Sequence, residues 1–181
     1  MNGFEISILL WIQDNLRGFM DDFWVFVTRL ADKGWFWILL AVILLFFKKT
    51  RVVGATVIVA LIINHVFTNM ILKDLVGRPR PYTVSPEIVT LIKKLSSYSF
   101  PSGHTSSSFA AAFVIYRMVP KKAGIPALVL ATMIGFSRMY VGVHYPTDVL
   151  GGVIVAFMAS VWAHYLVKRV LNKLEEKRAN G

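Results

Sequence analysis

Three short stretches of this sequence carry residue types suited to holding and transferring a phosphoryl group. The first runs Lys73-Asp74-Leu75-Val76-Gly77-Arg78-Pro79-Arg80-Pro81, with three cations in eight residues. Arginine offers phosphate a planar fork and lysine a mobile charge, and Pro79 and Pro81 stiffen the backbone presenting Arg80. Taken alone, this cluster suits lipid headgroups equally well. The second stretch is Pro101-Ser102-Gly103-His104, followed by Thr105-Ser106-Ser107-Ser108. A Pro-Ser-Gly turn opening a helix leaves free N–H groups at the positive end of the helix dipole, and Gly103 lets an oxygen approach the backbone. The third runs from Ser137-Arg138 to His144-Tyr145-Pro146-Thr147-Asp148. With Pro146 starting a helix, Asp148 can accept a hydrogen bond from one ring nitrogen of His144. That fixes the tautomer and leaves the other nitrogen as nucleophile or base.

Two chemistries fit these residues. His104, His144 and Asp148 are the ligand types of a zinc site. The neighbouring Lys73, Arg80 and Arg138 would repel a divalent cation and suit an anion instead. Phosphoryl transfer requires charge neutralisation, an in-line nucleophile and an acid for the leaving oxygen. All three requirements are met here without a metal or other cofactor.

The elements positioning these residues are membrane helices. The chain has 181 residues, 56% hydrophobic and 17% charged, with a mean hydropathy of +0.60. Those values exclude disorder and exceed what one small soluble core buries. Cysteine is absent, so disulfides and thiolate metal sites are excluded. Uncharged apolar windows span Trp35–Phe47, Val52–Leu72, Thr105–Tyr116, Ala123–Ser137 and Val149–Val167. About 20 apolar residues cross a bilayer; the second and fifth windows reach that alone, and the others must extend into their flanks. The expected fold is an all-α polytopic membrane bundle of five to six transmembrane helices plus interfacial helices, forming a single domain over 1–181.

Residues 1–33 read as an interfacial segment, with Leu9, Ile12, Leu16 and Phe19 on one helical face and Phe23–Leu30 as a partly inserted sixth segment. Lacking a charged n-region, the segment does not read as a signal peptide. Residues 73–103 form an outer connection. Within it, Ser85-Pro86 followed by Ile88, Leu91, Ile92 and Leu95 predicts a short surface helix. Residues 168–181 read as a charged cytoplasmic tail. Asn64, His65, Thr68 and Asn69, inside the second span, suggest interhelical hydrogen bonds.

The net charge of +10 suits nucleic acid or a membrane, and its distribution decides. With the connections assigned to alternate sides, one side receives eleven Lys and Arg against Glu175 and Glu176; the other receives nine basic and eight acidic residues. The positive-inside rule makes the first side cytoplasmic and turns the three phosphate stretches outward across the plasma membrane. Cations dispersed between spans also argue against nucleic acid as a partner. The implied partners are the bilayer and a membrane lipid substrate.

These residues resemble the type 2 phosphatidic acid phosphatase superfamily of membrane lipid phosphatases. Its three motifs appear in order: Lys73 with six residues between it and Arg80-Pro81, then Pro101-Ser102-Gly103-His104, then Ser137-Arg138 with five residues before His144 and three more before Asp148. The resemblance implies a metal-independent mechanism. His144 would attack phosphorus to give a phosphohistidine, Asp148 would orient it, and His104 would protonate the leaving oxygen. Lys73, Arg80, Ser102, Gly103 and Arg138 would hold the phosphoryl oxygens. The short chain and outward site most resemble bacterial undecaprenyl-diphosphate phosphatases. Phosphatidylglycerophosphate and phosphatidate phosphatases share the motifs, and a phospholipid-binding or transport protein using the same cationic cup is the alternative without chemistry.

Overall fold

The computed structural model describes residues 3–179; Met1 and Asn2 of the expected interfacial segment, and Asn180 and Gly181 of the expected tail, lie outside them. Every regular element among the described residues is helical. Helix α1 (Gly3–Leu16) and α2 (Asp21–Leu30) lead through a tight turn at Asp32–Gly34 into α3 (Trp35–Phe46). Helix α4 (Arg51–His65) continues through a π-helical stretch, Val66–Leu72, into a single turn, α5 (Lys73–Val76). After the short α6 (Pro81–Val84) come α7 (Gly103–Met118), α8 (Lys121–Tyr140) and α9 (Pro146–Ala179).

Within hydrocarbon, a helix is the one open-ended element that satisfies its own backbone polar groups. Three stretches are long and apolar enough to cross a membrane: Arg51–Val84, Lys121–Tyr140 and Pro146–Ala179. The first and third apolar windows fall on α3, of 12 residues, and α7, of 16, both shorter than a full span. Large apolar side chains such as Leu39, Ile62, Ile154, Phe157 and Trp162 lie exposed on the outside, the inverse of a water-soluble surface.

Helix α7 is the hub, packing against α4, α8 and α9, while α3 covers α4. Its middle is Ala110-Ala111-Ala112, each fully buried, and small side chains let neighbouring backbones close in. At the α3–α4 crossing a Cβ on Gly54 would stand 2.5 Å from the Ala41 carbonyl oxygen, so only glycine fits there. Two polar pairs tie helices inside the bundle: Trp37 Nε1 donates to Ser108 Oγ at 2.9 Å, and Asn64 Nδ2 donates to Ser106 Oγ at 3.1 Å.

The surface helix expected after Ser85-Pro86 is absent. Residues 85–102 form an extended connection with turns. Its apolar residues pack instead onto a second cluster, where Ile88 joins Leu9, Ile12, Tyr82, Tyr140 and Val143. Its backbone groups find partners across the fold: Val89 N donates to Gln13 Oε1, and Leu95 N donates to the Tyr82 hydroxyl. Tertiary packing and those partners outweigh the local helical periodicity. The N-terminal face divides in the same way, with Leu9 and Ile12 buried in this cluster and Leu16 and Phe19 exposed.

Candidate active site

The C-terminal ends of α4 and α8 meet the N-terminal ends of α7 and α9 at one end of the bundle, and the three phosphate-type stretches meet there. Gly77, in the left-handed region (φ 57°), closes α5 with its N–H on the Lys73 carbonyl, and the chain then turns to present Arg80. Ser102 caps α7: its Oγ accepts from the Thr105 hydroxyl at 2.8 Å and, at longer range, from the Thr105 N–H. Its own N–H donates to the Asp148 carbonyl at 3.0 Å. Two glycines of α9 allow this approach. A Cβ on Gly151 would stand 2.4 Å from the Phe100 ring, and one on Gly152 would stand 2.9 Å from the Ser102 carbonyl oxygen.

His144 is buried in the link between α8 and α9. Its Nδ1 lies 3.3 Å from Asp148 Oδ2, and its Nε2 lies 3.4 Å from Arg80 Nη1. A guanidinium can only donate and a carboxylate can only accept, so the hydrogen sits on Nδ1 and Nε2 carries the free lone pair. Burial, reinforced by the charges of Arg80 and Arg138, pushes the imidazole down to about 3 against the opposing pull of Asp148. His144 is therefore neutral at neutral pH. Asp148 Oδ2 also accepts from Ser99 Oγ at 2.5 Å and from Tyr145 N at 2.9 Å.

Arg80 is gripped by the 97–98 backbone: Nε donates to the Ser97 carbonyl at 2.7 Å and Nη2 to the Tyr98 carbonyl at 3.1 Å. Ser97 Oγ also accepts from Lys73 Nζ at 3.2 Å, joining the two cations. Arg138 is wholly buried; Nη1 donates to Thr28 Oγ1, while Nε and Nη2 have no partner. A buried cation with two free donors is ready for an anion. His104, at the start of α7, donates from Nε2 to Asp32 Oδ1 at 2.8 Å. That bond holds the exposed Asp32 carboxyl below its ordinary range.

A cavity of about 780 Å³ opens onto this constellation. Lys73, Arg80, Gly103, His104 and His144 line it; Ser102, Arg138 and Asp148 are buried behind its wall. Away from these groups its wall is apolar, with Ile38, Ile58, Leu61 and Ile62. No group of three His, Asp or Glu side chains among the described residues stands close enough to hold a metal ion.

Four further residues buttress these groups. Arg78 donates to Asp148 Oδ1 at 2.7 Å and to Glu5 Oε2 at 2.6 Å, with its guanidinium over the Tyr145 ring. Glu5 also accepts from Thr147 N and Oγ1. Although burial acts against ionisation of Glu5, these bonds hold its carboxyl below the ordinary range. Ser99 and Asp32 complete the set. A second arginine two residues before Arg80 is a visible signal in the sequence. Glu5 gives none, because its partners are more than seventy residues away.

Fold and site together define a helical membrane protein with a cavity lined by histidines and cations at one end of its bundle. The sequence pattern of the PAP2 superfamily matches residues 51–171, and the chain belongs to that superfamily. It is 35% identical over 144 residues to the undecaprenyl-diphosphatase BcrC of Bacillus subtilis, covering 77% of this chain and 70% of that protein. It is 29% identical over 164 residues to an undecaprenyl-diphosphatase of Sulfolobus acidocaldarius, covering 91% of this chain and 77% of that one. The crystal structure of a PAP2-type phosphatidylglycerolphosphate phosphatase from Bacillus subtilis superposes with a TM-score of 0.73 at 27% identity, covering 94% of this chain and 85% of that one.

Proposed function

We propose that this protein is a multi-pass membrane lipid phosphatase that removes a phosphate from a polyprenyl diphosphate such as undecaprenyl diphosphate through a phosphohistidine on His144. The carrying observation is a buried, neutral His144 whose Nε2 faces a cavity that is cationic at one end and apolar at the other. In the first step Nε2 forms a bond to phosphorus while the bond from phosphorus to the leaving oxygen breaks. The proton on His104 passes to that oxygen. Water then attacks phosphorus, gives a proton back to His104, and the P–N bond breaks to release inorganic phosphate and free His144. Lys73, Arg80, Arg138 and the Gly103 backbone neutralise the charge on the phosphoryl oxygens, while Ser102, its N–H engaged by the Asp148 carbonyl, holds the turn that presents Gly103. A carrier or binding protein would have no use for an oriented, neutral imidazole, which favours the enzyme.

Rapid quenching after mixing with labelled lipid diphosphate should trap an acid-labile, base-stable phosphoprotein, lost in His144→Ala; turnover without such a species excludes this route. Phosphate release compared across polyprenyl diphosphate, polyprenyl monophosphate, phosphatidylglycerophosphate and phosphatidate ranks the substrate classes. The names of the relatives make the first and third the leading pair.

In the bilayer we assign five spans, on α3, the α4–α5 stretch, α7, α8 and α9, with α1 and α2 at the outer surface and α2 the candidate for a sixth. The basic connections at 47–51 and 117–122 then face the cytoplasm and the site faces outward across the plasma membrane. A chain without cysteine makes the test direct. A membrane-impermeant maleimide applied to intact cells should label Lys93→Cys and spare Lys49→Cys; the reverse pattern overturns the orientation.

A further inference from the structure

Four polar residues near the end of α4 do two different things. Asn64 and Thr68 turn inward and share Ser106, at 3.1 and 3.2 Å. His65 and Asn69 line the cavity, and the bond the structure gives them is to each other, Asn69 Nδ2 to His65 Nδ1 at 3.2 Å. Interhelical pairing accounts for the first two and leaves the second two without a structural task.

Their position along the cavity is fixed by helical spacing. Leu61, His65, Asn69 and Lys73 follow one another at four-residue steps down one wall. Lys73 is at the phosphoryl end beside Ser97 and Arg80. Leu61 is at the apolar end. His65 and Asn69 thus occupy the turn between the reacting phosphate and the lipid tail. Asn69 also abuts the anion-binding turn, since a Cβ on Gly103 would stand 3.2 Å from its Oδ1. The amide donates to His65 Nδ1, which leaves Nε2 to carry a hydrogen as a spare donor. The π-helical stretch at Val66–Leu72 sits at this level, a local departure of the kind found at functional sites.

Lys33 lines the same cavity. Its backbone is in the left-handed region at φ 52°, a conformation uncommon for lysine, and Gly34 follows at φ 71°. Such local strain persists where the surroundings fix it, and here the double left-handed turn places Lys33 in the cavity wall. Among the described residues the cavity wall contains no Asp or Glu, while Lys33, Lys73 and Arg80 and three histidines line it. That is more positive and donor character than one phosphoryl group engages.

We propose that Lys33, His65 and Asn69 form a subsite for the second phosphate of a lipid diphosphate, the group that leaves with the lipid. The inference rests on the lipid phosphatase reading above. Two phosphorus atoms sharing one bridging oxygen lie within a helical turn of each other, which matches the step from Lys73 to Asn69. The subsite would stabilise the negative charge of the lipid monophosphate as it departs, a contribution a monophosphate substrate cannot draw upon.

The test uses the full chain in detergent or lipid vesicles with farnesyl diphosphate and farnesyl monophosphate, which share one tail. Variants are Lys33→Asn, chosen because asparagine tolerates the left-handed turn, together with His65→Leu and Asn69→Leu. The ratio of kcat/KM for diphosphate over monophosphate should fall by about tenfold in each, the size of one lost charge-assisted hydrogen bond. Equal falls on both substrates, or an unchanged ratio in Lys33→Asn, overturn the subsite while leaving the phosphatase reading intact. A wild-type protein releasing phosphate from neither substrate removes that reading and the subsite with it.

Discussion

The two histidines of the site are held in opposite ways. His144 is buried, and the carboxylate on its Nδ1 is itself fixed by Ser99, the Tyr145 N–H and Arg78, with Glu5 bracing Arg78 from α1. His104 stands on the cavity wall and leans on one carboxylate, Asp32, which is 57% exposed. A nucleophile must be neutral, aimed and immobile, and a shell that excludes water and locks one tautomer provides that. A group that gives and regains a proton in each cycle needs exchange with solvent, and a single exposed partner permits it.

The largest effects should separate the two histidines. His144→Ala should lower turnover of every substrate by at least about 10³-fold, because no other group can take the phosphoryl. His104→Ala should lower the rate of phosphoenzyme formation from lipid diphosphate by about 10²-fold or more yet spare that step with p-nitrophenyl phosphate, whose leaving group departs without a proton. Rapid-quench rates of that first step with both substrates decide it; equal losses in His104→Ala would remove its role as acid.

The next effect concerns the shell around His144. Arg78→Leu leaves the buried Asp148 and Glu5 without their common cation. It should destabilise the protein by about 3 kcal/mol and lower kcat by about 10²-fold, with KM little changed. Glu5→Gln combined with Arg78→Leu should cost much less than the two losses summed, because both act through one network. Additive losses in kcat and in thermal unfolding would show that α1 merely covers the site. Arg78→Lys should recover part of the stability and little of kcat, since an ammonium cannot bond both carboxylates as the fork does.

What the sequence discloses follows the same division. His104, His144 and Asp148 stand out as candidates because the geometry that marks them is set by neighbours within a few residues: a Pro-Ser-Gly turn, or an i, i+4 pair at a helix start. The apolar windows mark their helices because burial in lipid imposes a local composition. The pairings those groups make do not declare themselves, even where a partner such as Arg78 is itself visible. Arg78 meets Asp148 seventy residues on, Asp32 meets His104 across seventy-two, and Glu5 meets Thr147 across a hundred and forty-two. Such pairs are made by packing, and one chain's periodicity does not contain them. The same limit explains residues 85–102, whose helical spacing of Ile88, Leu91 and Ile92 describes attachment to α1 and α8 instead.

The smallest effect belongs to the most exposed contact. Asp32→Asn removes the negative charge beside His104, and for an exposed pair the loss at neutral pH should be about threefold. Its pH dependence is the sharper signature. A general acid works only while it holds its proton, and a neighbouring carboxylate favours the protonated ring, so the loss in Asp32→Asn should grow as pH rises. On the acid side the two proteins should converge. His144 stays neutral down to about 3, so falling pH does not silence the nucleophile in either, and Asp32 ionises well before neutrality. Profiles of kcat/KM for both proteins on one substrate cancel the ionisation of the substrate itself. A ratio that widens toward acid would place the affected proton on His144, and with it would end the contrast between a sealed nucleophile and an open acid.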